Sequence, residues 1–308
     1  MRTGSVAVSA VASRRLRRLI PLVGPWVPGY SRTHDSPLKH RVIPMALAQP
    51  HVALFWSLRS TGAVGAGKSR SILEFGEQNW YGDVDPAELG RLLDQLDCSD
   101  PACHGLRSRL NQLLAGPRSD EWSFDLARLF YRMVFGEHAY RAVDLHGTAI
   151  AERHDLNLPL PFSDQFDVVT NLGTAEHVFN QYQVFKSAHE KTKPGGIMIH
   201  ALPNQGCYDH GFYNYHPTFV FDLSQANRYH IVTLLYTDGT CAPIALTPIP
   251  DRAAYVSLAL AKKLSNYSGL LAVLRRPLDD LPFAIPRQGY YDNQLPPDLA
   301  AAWSRLPR

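Results

Sequence analysis

The chain has 308 residues, of which 45% are hydrophobic and 19% charged, and its formal net charge is +3. This length and composition allow one large domain with a sizeable core, and the charge is too small to predict nucleic-acid binding. No apolar run approaches the roughly 20 residues of a membrane-spanning helix, so no transmembrane segment is predicted. The four cysteines, Cys98, Cys103, Cys207 and Cys241, are scattered, which favours reduced thiols and a cytoplasmic protein over a disulfide framework.

The first 45 residues are rich in Arg, Pro and Ser and carry no sustained period, so residues 1–45 are predicted to be a basic, disordered tail. The acid-free, Arg-rich stretch 1–33 is also typical of a transit peptide or of an interfacial basic helix. Residues 46–60 predict a short helix that leads into an α/β domain spanning 46–263.

The first predicted strand is the apolar run SILEF at 71–75, which contains Glu74 and is followed by Gly76. Residues 84–135 then show apolar positions at helical spacing, with Asp85 and Pro86 as a start signal. This block predicts a helical insertion after the first strand.

Beyond the insertion, apolar runs alternate with amphipathic segments. Strands are predicted at 140–145, 166–172, 196–203, 230–239 and 254–263, with a short extended segment near Asp155. Helices are predicted between Val178 and His189 and at 218–228, and residues 264–308 are predicted to be a C-terminal tail packed on the domain. This alternation is typical of a doubly wound, mostly parallel seven-stranded sheet with helices on both faces.

Ligands of such sheets bind beyond the carboxyl ends of the strands, where the sequence places Glu74, Asp144 and Asp155. Gly76 permits a close backbone approach, and a carboxylate at Asp144 can accept both hydroxyls of a ribose. Asp155 and Leu156, followed by LPLPF at 158–162, offer an acceptor and an apolar wall to an adenine. Taken singly, each is equally typical of an ordinary turn or a helix cap.

The order of these features is more specific than any one of them. Along the chain, an acid followed by Gly precedes a second acid, then Asp-Leu with LPLPF, then FDVVTNLGTAEHV and finally KPGGIMIHALP. This order resembles class I S-adenosylmethionine-dependent methyltransferases of the type 11 kind, over about residues 71–263. The resemblance implies a Rossmann-like methyltransferase fold, S-adenosyl-L-methionine as cofactor and methyl transfer to an oxygen or nitrogen. By position it implies cofactor contacts at Glu74, Phe75, Gly76, Gln78, Asp144, Asp155, Leu156, Asn171, Leu172 and Gly173.

Two departures from the family pattern stand out. Gln78 and Trp80 occupy the places of the second and third glycines of the usual loop, and Asp144 follows Glu74 by about seventy residues because of the helical block. A methyltransferase-like binding protein without catalysis is therefore an alternative.

The loop after the fifth strand, NQGCYDHGFYNYHP, is the predicted substrate side, because its polar and aromatic groups suit a small polar acceptor such as a sugar or glycan precursor. The alternative is that these residues only fix the loop by hydrogen bonds. A metal on Asp209, His210 and His216, or zinc at Cys98, Cys103 and His104, is a minor alternative, and no metal is predicted. The predicted catalytic residues are Glu176, His177 and His210, and the predicted substrate residues are His200, Asn204, Tyr208, Tyr213, Asn214 and His216.

A competing motif lies just before the first strand. GAVGAGKS, from Gly62 to Ser69, matches the letters of a phosphate loop, so a phosphate-loop NTPase or kinase using Lys68 is the alternative function. That motif needs a strand before it and a helix after it, and the sequence predicts the reverse order. A Gly-rich linker is therefore the preferred interpretation.

Overall fold

A computed structural model describes residues 46–65, 67–81, 83–96, 101–238 and 245–289, together with the single positions 291, 297 and 301. The tail predicted at 1–45 lies outside these residues, as do Cys98 and Cys241.

The described residues form one eight-stranded sheet in the order β3-β2-β1-β4-β5-β8-β6-β7. Strands β1 to β6 run in one direction, and β7 and β8 are antiparallel to their neighbours. The predicted mostly parallel sheet is confirmed, with eight strands in the described residues instead of seven. The strands are β1 (Ser71–Phe75), β2 (Ala139–Asp144), β3 (Glu152–Arg153), β4 (Phe166–Leu172), β5 (Thr192–Gln205), β6 (His230–Asp238), β7 (Leu246–Pro248) and β8 (Ser268–Arg275).

Three helices separate β1 from β2, which confirms the predicted helical insertion. A single 3-10 turn, Ala175–His177, follows β4 directly. The helices are α1 (Gln49–Ser60), α2 (Ala87–Asp94), α3 (Pro101–Ala115), α4 (Trp122–Phe135), α5 (Gln181–Lys191), α6 (Pro217–Ala226) and α7 (Arg252–Leu260).

Both faces of the sheet are covered, and this explains the nearly continuous apolar strands. Successive residues of β1 point to opposite faces: Ile72 packs in a core with Phe55 of α1 and Phe130 of α4, whereas Leu73 packs in a second core with Phe185 of α5. The insertion helices therefore form part of the first hydrophobic core.

The prediction of a strand at 254–263 is wrong, because this segment forms α7. Asp251 caps the helix, with its side chain accepting a hydrogen bond from the backbone N–H of Ala254 at 2.8 Å. The strand that belongs to the sheet is β8, which lies in the segment predicted to be a C-terminal tail and inserts between β5 and β6. Short apolar runs do not separate strand from helix by periodicity, so the apolar pattern alone gave the wrong element here.

Strand β5 begins at Thr192, earlier than the predicted Gly196. The pairing with β4 shifts register between Phe166 and Val168, where Thr192 and then Ile197 are their partners. A bulge therefore takes up the KPGG stretch, and Gly195 supplies the φ of +77° that the bulge requires.

Within the part of the chain that the structure describes, none of the helices is both long and apolar enough to cross a membrane.

Candidate functional site

The carboxyl ends of β1, β2 and β4 meet at one edge of the sheet. Phe75 is paired with Val143 of β2 and with Asn171 of β4 in parallel register. The loops that follow these strands therefore begin side by side, at the position where ligands bind in doubly wound sheets.

Glu74 is buried, and the protein itself uses its carboxyl group. The hydroxyls of Tyr131 and Tyr140 donate to its two oxygens, and the backbone N–H of Gln78 donates to Oε2 at 2.9 Å. Burial raises the pKa of Glu74 to about 7, against the opposing effect of these hydrogen bonds. The structure thus places Glu74 in an internal network with two tyrosines.

Gln78 and Gly76 join the β1 loop to the end of β4. The Gln78 side-chain amide donates to the backbone carbonyls of Gly76 and Leu172, both at 3.0 Å. Gly76 has a φ of +75°, and a Cβ there would lie 2.3 Å from the Thr174 Oγ1. Only glycine fits this position, because the β1 loop presses on the turn after β4.

Trp80, which the sequence resemblance aligns with a third loop glycine, is 4% exposed and donates from Nε1 to the Val84 carbonyl at 2.8 Å. Its ring packs edge-on against Phe130, with 5.7 Å between centroids. It anchors the β1 loop in the hydrophobic core.

Asp144 lies at the end of β2, as predicted, and its two oxygens each accept one backbone N–H. Glu77 donates to Oδ2 at 2.8 Å, and His146 donates to Oδ1 at 2.7 Å. The carboxylate remains partly exposed, with lone pairs left for a ligand.

Glu77 is a buried acid of this edge that no sequence pattern identifies. Its side chain is fully buried, and it accepts hydrogen bonds from Arg128 at 2.9 Å and from the Thr148 backbone at 2.6 Å. Arg128 belongs to α4 of the insertion, so no local pattern identifies the pair. The insertion helix therefore helps to hold the loops after β1 and β2.

The loops after β2 and β3 carry exposed apolar side chains. Leu145, Ile150 and Leu158 are 56%, 51% and 57% exposed. Asp155 accepts from the backbone and side chain of Asn157 through Oδ1, each at 2.8 Å, and Leu156 is buried. An apolar surface beside a carboxylate suits a flat, hydrogen-bonding ring.

The end of β4 is tied to β5. Asn171 accepts from the Ala175 backbone at 2.9 Å, and its amide lies 3.1 Å from Nδ1 of His200. Gly173, with a φ of +70°, donates to the Ala201 carbonyl at 3.0 Å. His200 is 2% exposed, packs against Phe185, and its burial lowers its pKa to about 4. The structure thus places His200 in the core as a neutral side chain, where it is not exposed to a substrate.

The predicted catalytic residues do come together. Glu176 and His177 lie on the 3-10 turn after β4, and His210 lies on the β5–α6 loop, residues 206–216. His210 Nε2 lies 3.6 Å from Glu176 Oε1, and the two histidine rings have centroids 4.9 Å apart. We call these three residues the Glu-His-His cluster.

The β5–α6 loop closes over Glu176. The Phe212 backbone N–H donates to the Glu176 carbonyl at 2.7 Å, and a Cβ on Gly211 would lie 3.0 Å from the Glu176 Cγ. Burial is the main cause that lowers the pKa of His177; His210 adds to the effect, and the Glu176 carboxylate opposes it. Burial raises the pKa of the Cys207 thiol to about 12, and Glu176 contributes to this rise.

The remaining residues of the predicted substrate loop divide into two groups. Asn204 is buried and fixes the loop, donating to the Tyr215 carbonyl at 2.7 Å and accepting from Tyr255 at 3.1 Å. Tyr213 donates to the Phe179 carbonyl at 3.0 Å. Tyr208, Asn214 and His216 are exposed. The hydrogen-bonding interpretation therefore describes Asn204 and Tyr213, whereas the exposed side chains are available to a ligand.

The minor metal alternatives fare differently. Among the described residues, the group of three or more His, Cys, Asp or Glu side chains whose ligand atoms converge is Glu176, His177 and His210, without Asp209 or His216. Cys103 is buried in the first core, whereas His104 is exposed; Cys98 lies outside the described residues.

The Gly62–Ser69 segment lies between α1 and β1, so a helix precedes it and a strand follows it. Lys68 donates to the Gly62 carbonyl at 2.7 Å. A phosphate loop needs the opposite order, because the N-terminus of the following helix binds the phosphate. The NTPase alternative is therefore not supported.

Comparison with known proteins supports the sequence resemblance. The model of the methyltransferase domain family matches residues 129–200, from α4 into β5, which confirms the resemblance to class I methyltransferases and leaves β1 and its loop outside the match. A search of curated proteins gives no match. Similar solved structures include the N-methyltransferase NodS from Bradyrhizobium japonicum WM9, with 14% identity, 74% of this chain and 95% of NodS covered, and a TM-score of 0.37. Another is a methyltransferase from Thiobacillus denitrificans in complex with S-adenosyl-L-homocysteine, with 14% identity and a TM-score of 0.36. The match covers 77% of this chain and 95% of that methyltransferase.

Proposed function

We propose that this protein is an S-adenosylmethionine-dependent methyltransferase that acts on an oxygen or nitrogen of a small polar acceptor, with sugars and glycan precursors as the preferred class. The observation that carries the proposal is the match to the methyltransferase domain over residues 129–200. This segment contains β2 to β4, whose carboxyl ends bear Asp144, Asp155 and Asn171 at the ligand-binding edge of the sheet.

The adenosine half of the cofactor fits the residues present. The partly exposed Asp144 retains lone pairs for ribose hydroxyls, and Leu145, Ile150 and Leu158 expose apolar surface that a purine ring would cover. Asp155 keeps one carboxylate oxygen outside its hydrogen bonds with Asn157.

The methionine half meets Gln78 instead of a second glycine. Gln78 Oε1 is buried and has no hydrogen-bond partner among the described residues, so it can accept a hydrogen bond from an ammonium group. The Gln78 amide nitrogen already donates hydrogen bonds to the carbonyls of Gly76 and Leu172. The interaction of a bound methionine group with this loop would therefore run through the Gln78 side chain.

When bound, S-adenosylmethionine supplies a methyl group on a sulfonium, and transfer breaks the carbon–sulfur bond, leaves its electron pair on sulfur and forms the bond to the acceptor. The acceptor would lie between the turn after β4 and the β5–α6 loop, where the predicted catalytic side chains come together. A hydroxyl acceptor needs a proton acceptor, and the Nε2 atoms of His177 and His210 are free of protein hydrogen bonds in the described residues. Glu176 would orient His210, whose Nε2 lies 3.6 Å from the carboxylate.

Calorimetry of ligand binding to the full chain tests the proposal. We expect S-adenosylmethionine and S-adenosylhomocysteine to bind with micromolar affinity, about −8 kcal/mol, and ATP with magnesium not to bind. Asp144→Ala should weaken binding of both sulfur ligands, because the ribose loses its acceptor. Asp164→Ala is the matched control: this carboxylate is 63% exposed and pairs with Arg141 away from the proposed contacts.

Absence of binding by either sulfur ligand would refute the proposal. Binding without turnover over a broad panel of hydroxyl and amine acceptors would instead favour the alternative of a methyltransferase-like binding protein. Equal loss of binding in the Asp144 and Asp164 variants would show that the ribose assignment is wrong.

A further inference from the structure

Glu176 is unusual among the buried acids of this protein. Its side chain has no exposed surface, and neither oxygen has a hydrogen-bond partner among the described residues. A buried carboxylate without hydrogen bonds is strongly unfavourable, so such groups are normally paired or coordinate a metal ion. By contrast, the equally buried Glu77 has Arg128 and Thr148 as donors. The described residues therefore supply no hydrogen-bond partner to the buried Glu176 carboxylate.

The nearest candidate donors are imidazoles, and they are also unsatisfied. His177 Nε2 and His210 Nε2 are buried atoms without a hydrogen-bond partner in the described part of the chain. One ligand atom from each of the three residues lies within 4.8 Å of the others. The three residues thus bring one ligand atom each within reach of a single ion.

We propose that Glu176, His177 and His210 bind a divalent transition-metal ion, with zinc, manganese or iron as the chemical class. Ligand atoms about 2.1 Å from a tetrahedral metal lie about 3.4 Å apart, close to the 3.6 Å between His210 Nε2 and Glu176 Oε1. Two imidazoles and one carboxylate form a ligand set that leaves a coordination position open for water or substrate. One ion would thus give each of the three side chains a partner that the described residues do not supply.

This site differs from what the sequence predicts. No metal is predicted from the sequence, and the minor alternative is a metal bound by Asp209, His210 and His216. The structure instead joins His210 to two residues of the turn after β4, because Gly211 and the Phe212 N–H hold the β5–α6 loop against Glu176. His216 is exposed at the start of α6 and lies outside the cluster.

The role of the ion rests on the proposed function, whereas its binding does not. An acceptor hydroxyl at the open position would lose its proton to solvent more readily, because the cation stabilises the alkoxide. That alkoxide would then form the new bond to the methyl carbon as the carbon–sulfur bond breaks. The metal would thus favour oxygen acceptors over nitrogen acceptors and replace the histidines as the means of activating the hydroxyl.

The test is metal binding by the full chain without a polyhistidine tag, after treatment with a chelator and exchange into metal-free buffer. Cobalt(II) is the probe, because its visible absorption reports coordination by protein ligands, and zinc is measured by competition. We expect one cobalt per chain. His210→Gln and Glu176→Gln should each weaken the affinity by at least ~100-fold, since even partners of metal ligands contribute 10–100-fold.

Two matched controls exclude other histidines. His216→Gln, at the end of the same loop, and His104→Gln, beside Cys103, should leave cobalt affinity unchanged within about twofold, because neither contributes a ligand. The circular dichroism spectrum and the urea unfolding of His210→Gln in metal-free buffer should match those of the wild type, which shows that the variant is folded.

The outcomes separate the two proposals. Absence of cobalt and zinc binding in the wild type, or binding that survives in both ligand variants, would overturn the metal site. Cobalt binding that depends on His210 and Glu176, in a protein that binds no S-adenosylhomocysteine, would support the metal site and refute the proposed function.

Discussion

The two loop regions at the carboxyl edge of the sheet differ in how their buried polar groups are satisfied. At the end of β1 and in the loop after it, Glu74 and Glu77 each have protein donors, from two tyrosines in one case and from Arg128 and Thr148 in the other. In the turn after β4, Glu176 is just as buried and has no donor among the described residues.

This difference distinguishes buried carboxylates that stabilise the fold from one for which we propose a ligand. A saturated network stabilises the fold, because removing one member leaves others unpaired. A buried carboxylate without a partner destabilises the fold, so it needs a specific explanation. The two carboxylates near β1 are satisfied within the protein, whereas we propose that a ligand satisfies the Glu-His-His cluster.

The largest expected effect comes from one substitution applied to both regions. Glu77→Gln should lower the free energy of unfolding by about 3 kcal/mol, because it breaks a buried ion pair with Arg128. Glu176→Gln, measured in metal-free buffer, should leave it within about 0.5 kcal/mol of the wild type or raise it, since no hydrogen bond is lost. Urea unfolding of the two variants measures both values. Similar destabilisation by the two substitutions would mean that the cluster is part of the scaffold.

The second prediction concerns the pH dependence of stability. The pKa of Glu74 is raised from 4.5 to about 7 in the folded protein, so the folded state holds a proton that the unfolded state releases. The stabilisation from this proton is therefore fully present below pH 4.5 and is lost as the pH rises through 7. The free energy of unfolding changes by on the order of 3 kcal/mol over this range.

Thermal unfolding of wild type and Glu74→Gln between pH 4.5 and 8 measures this effect. The variant cannot titrate at this position, so the stability difference between the two proteins should shift in favour of the variant as the pH rises. A difference independent of pH would show that Glu74 is ionised in the folded protein at all these pH values.

A smaller effect is expected at Gln78. Gln78→Ala removes the donor to the Gly76 and Leu172 carbonyls and should lower the free energy of unfolding by about 1–3 kcal/mol. Calorimetry with S-adenosylhomocysteine then shows whether the side chain serves the cofactor as well. Tighter binding by the variant would indicate that the Gln78 amide competes with the methionine group for the two carbonyls.

The smallest effect is expected at Lys68, which lies outside both regions. Its ammonium donates to the Gly62 carbonyl and is exposed, so Lys68→Ala should change the free energy of unfolding by less than about 0.5 kcal/mol. Cofactor binding should not change. Binding of ATP that disappears with this substitution would restore the phosphate-loop alternative.

Local patterns predicted much of the fold. The strands at 71–75 and 166–172 match β1 and β4 residue for residue, because a buried parallel strand has a distinctive apolar run. The same rule failed at 254–263, which forms α7, and missed β8 in the supposed tail. There an apolar run of helix length and an apolar strand look alike, and only pairing with β5 and β6 separates them.

For the candidate site, the sequence was enough to place several side chains at the carboxyl edge of the sheet. The positions of Asp144, Glu176 and His177 follow from the strand ends, since parallel strands all end at the same edge of the sheet. The partners of these groups emerged from the packed structure alone. It joined Glu77 to Arg128 of the insertion, buried His200 in the core and brought His210 to Glu176. Those contacts depend on packing between segments distant in sequence, which no local periodicity encodes.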